Sequence, residues 1–287
     1  MRALLWGLLF ISAQALAQYS VRDDLQRDVH FERPPQRVIT LLPSLTETVC
    51  ALGECARLVA TDRYSDWPRS VLALPKAGGL DDAQVETIVS LRPDVVLLSA
   101  SARVTQRLAQ LGVKTFAVEA KTYAGIAHSV SVVARVLGVP SRAAALNQVI
   151  TSGVEALSRK AATRGRASHP PSVYFEVDAA PYAAGESSFI GELLSRLGVR
   201  NIVPAELGPF PKLNPEYVVR HDPEIIFVSP QEAPALAQRP GWSGIRALRE
   251  RRLCMLSREA RDTVVRPGPR VVEGMRALGE CLDKVAP

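Results

Sequence analysis

Four histidines (His30, His128, His169 and His221) and four cysteines (Cys50, Cys55, Cys254 and Cys281) are the residues of this chain best suited to metal or thiol chemistry. The histidines are scattered without ligand spacing, so no metal site is expected from them. His128 falls inside a helical stretch. His221 falls at a helix end, where an imidazolium answers the carbonyl-rich terminus. No phosphate-cradling glycine loop, zinc-protease histidine pair, nucleophile elbow or Cys-x-x-Cys is present. No nucleophile stands beside a base, and the chain reads as a binder rather than an enzyme.

The residues suited to binding lie in polar-aromatic loops: Tyr64-Ser65-Asp66-Trp67, Tyr182 to Ser187, Pro209-Phe210-Pro211 and Arg261 to Arg270. The rings of Tyr64, Tyr182 and Phe210 offer faces for a large flat apolar ligand, and Asp262 and Arg266 offer charge to its amide or carboxylate edges. Each also has an ordinary reading as a loop cap or a core residue. Trp67 stands next to Pro68 and suits packing, and Glu186 and Ser187 suit capping of the helix near Ser188. Asp262 with Arg266 looks like an ion pair rather than a catalytic acid/base dyad.

Such loops need a scaffold, and the scaffold is organised around Ser141 to Gly165. Pro140 and Ser141 form a helix start; Gly165 and Pro170-Pro171 form a stop. Between them Leu146, Val149/Ile150, Val154, Leu157 and Ala161 recur at steps of three or four, predicting one amphipathic helix of roughly 25 residues and about 37 Å. On either side strands alternate with helices. The first lobe has strands at Arg37–Leu42, Leu58–Thr61, Asp94–Leu98 and Val113–Val118. It also has a helix opened by a Ser44/Glu47 capping box. The second has strands at Ser172–Val177, Glu224–Ser229 and Leu253–Leu256, and helices at Ser188–Leu197 and Pro269–Asp283. The expected fold is therefore α/β: two Rossmann-like lobes with parallel central sheets (residues 36–140 and 170–287), joined by one long α-helix (141–166), with a ligand cleft between them. A crossover helix within one large domain is the alternative.

The lobes share a segment. Glu86 to Ser99 aligns without a gap on Glu216 to Ser229, every matched position displaced by 130 residues: Glu86/Glu216, Val89/Val219, Pro93/Pro223, Asp94/Glu224 and Ser99/Ser229. Each copy is a helix, a stop at proline and a buried strand. Singly, Glu86 and Glu216 are helix N-terminal charges. As a matched pair they suit a partner that is itself two-fold symmetric.

Residues 1–17 read as an export signal. Arg2 supplies the charge, Ala3 to Ile11 the apolar core, and Ala15-Leu16-Ala17 a cleavage site after Ala17. A mature chain from Gln18 in the periplasm is expected, without a lipid anchor because no cysteine follows the site. In an oxidising compartment four cysteines favour disulfides over thiol chemistry. Three pairings are possible; Cys50–Cys55, across a helix end at Gly53, and Cys254–Cys281, strand to final helix, are expected, with free buried thiols as the alternative. The formal net charge of +6, from 35 basic against 29 acidic residues, is spread along the chain without the interleaved aromatics of a nucleic-acid groove.

The runs Arg37-Val-Ile-Thr-Leu-Leu-Pro-Ser-Leu-Thr-Glu47, Tyr64-Ser-Asp-Trp-Pro68, Leu91-Arg-Pro-Asp-Val-Val96 and Arg266–Arg270 resemble the periplasmic cobalamin-binding proteins of vitamin B12 ABC importers. More broadly they resemble the helical-backbone (class III) substrate-binding proteins, which also carry haem and ferric siderophores. The resemblance covers about residues 36 to 284. It implies lobes that move little and a glutamate from each lobe docking on arginines of a dimeric inner-membrane permease. That role falls on Glu86 and Glu216. It also implies a monomer that uses no cofactor and carries cobalamin or another corrinoid as ligand, with Tyr64, Tyr182, Phe210, Asp262 and Arg266 at contacting positions. The Asp-x-His-x-x-Gly signature of corrinoid enzymes is absent. Two tryptophans of the cobalamin pattern are missing, their places falling near Gly78-Gly79 and Ser99-Ala100. This leaves a looser pocket, another corrinoid, or haem or a siderophore as the alternatives within the class, and an exported enzyme with a catalytic cleft, or a structural or interaction protein, as the alternatives outside it.

Overall fold

The computed structural model describes residues 18–162, 169–178 and 182–285; the expected leader and its cleavage site lie outside them, as does Gly165. An N-terminal hairpin pairs β1 (Tyr19–Arg22) with β2 (Asp28–Phe31). The first lobe follows as β3 (Val38–Thr40), α1 (Pro43–Ala51), β4 (Leu58–Thr61), α2 (Val85–Ser90), β5 (Val95–Leu98), α3 (Val104–Gln110), β6 (Thr115–Ala117) and α4 (Tyr123–Val136). After α5 (Pro140–Ala161) the second lobe runs β7 (Ser172–Asp178), β8 (Tyr182–Ala183), α6 (Phe189–Arg196), β9 (Arg200–Asn201), α7 (Pro215–His221) and β10 (Ile225–Val228). It ends with α8 (Ala233–Leu236), α9 (Arg246–Arg249), β11 (Leu253–Met255), α10 (Arg258–Val265) and α11 (Val271–Val285).

The first sheet has the order β4-β3-β5-β6, all parallel. In the second, β9, β7, β10 and β11 are parallel neighbours in the same relative order, and β8 adds antiparallel to the end of β7. β5 and β10 are buried at every residue, as apolar strands must be when helices cover both faces of a parallel sheet. The repeat is structural as well as sequential. Arg92 (φ 46°) and Asp222 (φ 41°), 130 positions apart, both adopt the left-handed backbone ahead of Pro93 and Pro223, a conformation uncommon outside glycine. One residue beyond each proline, a carboxylate caps the neighbouring strand. Asp94 Oδ2 accepts the Gln36 and Arg37 N–H groups at 2.7 and 2.9 Å, and Glu224 Oε2 accepts the Ser172 N–H at 2.8 Å.

α5 begins with proline in its first turn, where the missing N–H has no intrahelical partner to lose. It packs on α4 of one lobe and α11 of the other, so it does strut the two lobes, over a span that starts one residue earlier and ends at Ala161. Ala143, Ile150, Val154 and Ala161 are its buried residues; Val149, read as part of the stripe, points to solvent. The central core is continuous across the molecule: Val38, Val95, Leu97 and Phe116 meet Val173, Phe175, Ile225 and Phe227 through α4, α5, α6 and α11. Alternate strand residues Ile39, Val96 and Leu98, and Tyr174, Ile226 and Val228, face outward into a smaller core on the far side of each sheet. The hairpin was not foreseen. Its Val21 and Phe31 enter the central core, and the Tyr19 hydroxyl donates to the Val136 carbonyl at 2.6 Å.

The expected disulfides form, Cys50–Cys55 with Cα atoms 4.1 Å apart and Cys254–Cys281 with Cα atoms 5.7 Å apart. The capping box does not. α1 starts after Leu42 with Pro43 in its first turn and no side-chain cap; Ser44 lies inside the helix, and Glu47 is turned away from the helix start. No helix among the described residues is long and apolar enough to cross a membrane.

Candidate ligand-binding site

Both lobes aim the carboxyl ends of their strands at the boundary between them. Tyr64 lies three residues beyond β4, on a loop built by buried polar groups. Asp62 Oδ1 accepts the Tyr64 N–H at 2.8 Å and its Oδ2 accepts the Ser65 hydroxyl. Ser65 Oγ is 2.6 Å from Thr46 Oγ1, itself 2.6 Å from Thr40 Oγ1. Lys76 Nζ closes the loop from the other side, donating to the Ser65 carbonyl at 2.7 Å and Thr61 Oγ1 at 2.9 Å. Burial pushes the Asp62 carboxyl up, and burial likewise pushes the Lys76 ammonium down. So fixed, the loop leaves the Tyr64 ring 63% exposed.

Tyr182 and Phe210 come together on the second lobe. β8 pairs with the end of β7, and Tyr182 bridges Lys212 while Ala183 N–H donates to the Pro211 carbonyl at 3.0 Å. Tyr182 is 41% exposed and Phe210 36%, the latter edge-on to the buried Phe189 ring at 6.2 Å. Exposed rings at strand ends are costly to leave in water and suited to meeting an apolar face. The sequence-derived residues thus fall into two groups: Tyr64 with Asp262 and Arg266 at the lobe boundary, and Tyr182 with Phe210 on the second lobe. The first group reaches the strand ends of the second lobe through Arg261, whose Nη2 donates to the Val177 carbonyl on β7.

Arg266 is the centre of the first group, and it is only 8% exposed. Its Nη1 donates to Glu47 Oε1 at 3.1 Å and to Asp66 Oδ1 at 2.7 Å, both on the first lobe. Its Nη2 donates to the Tyr64 carbonyl at 3.1 Å and lies 3.1 Å from Asp262 Oδ2. The ion pair read between Asp262 and Arg266 is therefore present, inside a larger cluster that spans the lobes. Arg270 adds a second strand to the seam: its guanidinium lies 4.7 Å over the Trp67 ring, and Nη1 is 3.9 Å from Glu47 Oε1. A concavity of about 440 Å³ opens at this seam, lined by Asp66, Trp67 and Arg69 of one lobe and Asp262, Arg266 and Arg270 of the other.

Glu47 is the member that sequence reading misassigned. It is fully buried, and burial, only partly offset by its bond to Arg266, pushes its carboxyl up to about 7. Its Oε2 has no hydrogen-bond partner among the described residues. Burial acts on Asp66 in the same sense, but the Arg266 hydrogen bond and charge outweigh it and hold that carboxyl below the usual range. The lobes touch again across the molecule, where Phe189 N–H donates to the Lys121 carbonyl at 2.9 Å and Tyr123 N–H to Glu192 Oε1 at 3.3 Å.

Glu86 and Glu216 occupy the same place in the two lobes, exposed in the first turns of α2 and α7. Histidine placement is local: His128 Nε2 is 2.9 Å from Asp24 Oδ1, and His221 stacks on Tyr217. Among the described residues no three His, Cys, Asp or Glu side chains are grouped to hold a metal ion.

A family model described as periplasmic binding protein matches residues 38–260. The chain belongs to this family. It is 28% identical over 272 residues to an uncharacterized ABC transporter substrate-binding lipoprotein of Bacillus subtilis, covering 92% of this chain and 85% of that protein. It is 24% identical to a vitamin B12-binding protein of Vibrio parahaemolyticus, covering 88% of this chain and 91% of that one. The crystal structure of a periplasmic heme-binding protein from Pseudomonas aeruginosa superposes with a TM-score of 0.75 at 25% identity, covering 85% of this chain and 91% of that one.

Proposed function

We propose that this chain is the exported, periplasmic substrate-binding component of an ABC importer. It captures cobalamin or another corrinoid between its lobes and, as a monomer, hands it to a dimeric inner-membrane permease. The observation that carries the reading is the set of exposed rings, Tyr64 in the loop after β4 on one lobe and Tyr182 with Phe210 beside the end of β7 on the other. Asp262 supplies a polar contact at the edge. Arg266 is assigned to the same site, and Glu86 and Glu216 are assigned to permease docking on the strength of their matched, exposed positions. The two inter-lobe contacts and the continuous core support binding by preorganised lobes, so that little of the binding energy is lost to ordering. No covalent step is assigned to the cleft.

One observation favours haem or a ferric siderophore as the second reading. Gly78 has φ +94°, and a Cβ there would stand 2.4 Å from the Asp82 carbonyl oxygen; at Gly79 it would stand 3.4 Å from the Tyr64 ring. At Gly78 the close-run backbone leaves no room for the tryptophan of the cobalamin pattern, so Tyr64 is the ring this flank offers, one fewer than a corrinoid of that pattern would meet.

Calorimetric titration of the mature chain with cyanocobalamin, then haemin, tests the reading. One-to-one micromolar or tighter binding of cyanocobalamin supports a corrinoid. Binding of haemin alone replaces the ligand and keeps the transport role. Silence with both, and with ferric siderophores, would sink the reading.

A further inference from the structure

The Arg266 guanidinium offers five N–H donors in a fixed fork, and its two terminal nitrogens are already engaged by four protein oxygens: Glu47 Oε1, Asp66 Oδ1, the Tyr64 carbonyl and Asp262 Oδ2. Three of these belong to the first lobe and one to the second. A group so occupied and so buried is well placed to hold two surfaces in register. The partner that fixes it from beneath is Glu47. Asp66 is partly exposed and Asp262 travels with Arg266 on its own helix end, one turn away. Glu47 projects from α1 and has no other hydrogen-bond partner among the described residues, its second oxygen having none.

We infer that Glu47 is a positioning residue for the cleft: by anchoring the Arg266 fork across the lobe boundary it fixes the Tyr64 loop of one lobe against Asp262 of the other and so sets the width of the ligand site. The inference rests on the reading that this cleft binds the ligand. The physical signature is a carboxylate kept where ionisation is costly. Its burial outweighs its attraction to Arg266, so the ionised Glu47 does not recover its own desolvation, although Arg266, with three carboxylates about it, is held charged. A residue that contributed only to stability would be better as an aliphatic side chain of similar size. Loss of Glu47 leaves Arg266 bonded across the boundary only to Asp66 and the Tyr64 carbonyl, both on the loop after β4, while α5 and the Lys121–Phe189 and Tyr123–Glu192 contacts still join the lobes; the seam edge then has no anchor in the buried face of α1.

The test separates position from stability. Spin labels are attached at Gln106→Cys in the first lobe and Arg249→Cys in the second, both exposed sites, and the inter-label distance distribution is measured in the mature chain. Glu47→Leu removes the acceptor, and Glu47→Gln keeps an oxygen for Nη1. For Glu47→Leu we expect the distribution to widen at least twofold and affinity for cyanocobalamin or haemin to fall tenfold or more, measured without denaturant at a temperature where the variant is fully folded. For Glu47→Gln we expect width and affinity within twofold of wild type. A wild-type distribution in Glu47→Leu overturns the inference, as does a widening that Glu47→Gln reproduces in full. Should Glu47→Leu fail to fold, Arg266→Lys keeps the charge but not the fork: widening there supports the inference and an unchanged distribution overturns it. If neither probe binds the wild-type chain, the ligand reading fails by itself and the distances still decide the role of Glu47.

Discussion

Ionisation of Glu47 should be visible as a pH dependence of stability with a definite sign. In the unfolded chain its carboxyl titrates at the ordinary 4.5; in the folded chain burial, ahead of the opposing Arg266 bond, carries it to about 7. Between those values the folded state holds a proton that the unfolded state has released, so folding loses stability as pH rises through the window and regains it as pH falls. At ~1.4 kcal/mol per tenfold change in proton binding, the span amounts to about 3 kcal/mol. The groups facing Glu47 are Arg266 and Arg270 from the segment after α10, with Asp66 from the loop after β4. The two arginines stay charged throughout the window, and Asp66, held below the usual range, stays ionised through nearly all of it. Denaturant unfolding of wild type and Glu47→Gln, at steps from pH 4.5 to 8, isolates the effect. The variant should gain on wild type by about 3 kcal/mol across the series, most steeply below pH 7. A flat difference would show that burial does not dominate, and a difference of opposite sign would show that pairing with Arg266 outweighs it.

Other predictions rest on separate parts of the molecule. Replacing Cys254 and Cys281 by alanine removes a cross-link spanning 27 residues and should cost about 3.5 kcal/mol in denaturant unfolding, whereas the five-residue Cys50–Cys55 link should cost about 2 kcal/mol by the same loop-closure argument. Equal costs would mean that unfolded-chain entropy is not the controlling term. Tyr64→Ala with Phe210→Ala should weaken binding of whichever probe binds by a few kcal/mol, counting about 1 kcal/mol per stacked ring beyond its buried area; unchanged calorimetric affinity would move the site elsewhere. Reversing Glu86 and Glu216 to lysine should abolish uptake by cells while leaving affinity intact, and an equal fall in affinity would remove the docking role.

The architecture was legible in the sequence because its determinants are local. Buried runs such as Val95–Leu98 and Ile225–Val228, the proline start of α5, and the helix–proline–strand unit repeated at Glu86 and Glu216 are each specified within a few residues. The limits of legibility are equally specific. The hairpin at Tyr19–Phe31, a two-stranded sheet of its own, is docked on the first lobe by long-range bonds from its turn, such as Asp24 N–H to the Ala117 carbonyl at 2.9 Å, which no short window announces. Val149 and Ile150 fit the same helical stripe, and only the packing of α4 and α11 on α5 decides that Ile150 is the one buried.

Glu47 shows most plainly why a site resists local reading. Serine followed three residues later by glutamate is the spacing of a capping box, and a capping box satisfies two helix-end donors at modest cost. Here Pro43 opens the helix two residues early and needs no cap at its own nitrogen, which frees Glu47 from the helix start. What then claims the side chain is a guanidinium 219 residues away. The helix start that would have offered it N–H groups lies two residues earlier, so the guanidinium is the donor the fold leaves within reach of Glu47. Arg266 is brought within reach by α10, itself seated on α11 and hence on α5. The long helix that made the two-lobed fold predictable thereby also determines which carboxylate meets which arginine across the seam. A change in α5 packing that displaced α11, such as filling the space at Gly153 against Val272, would act on the ligand site through that same contact.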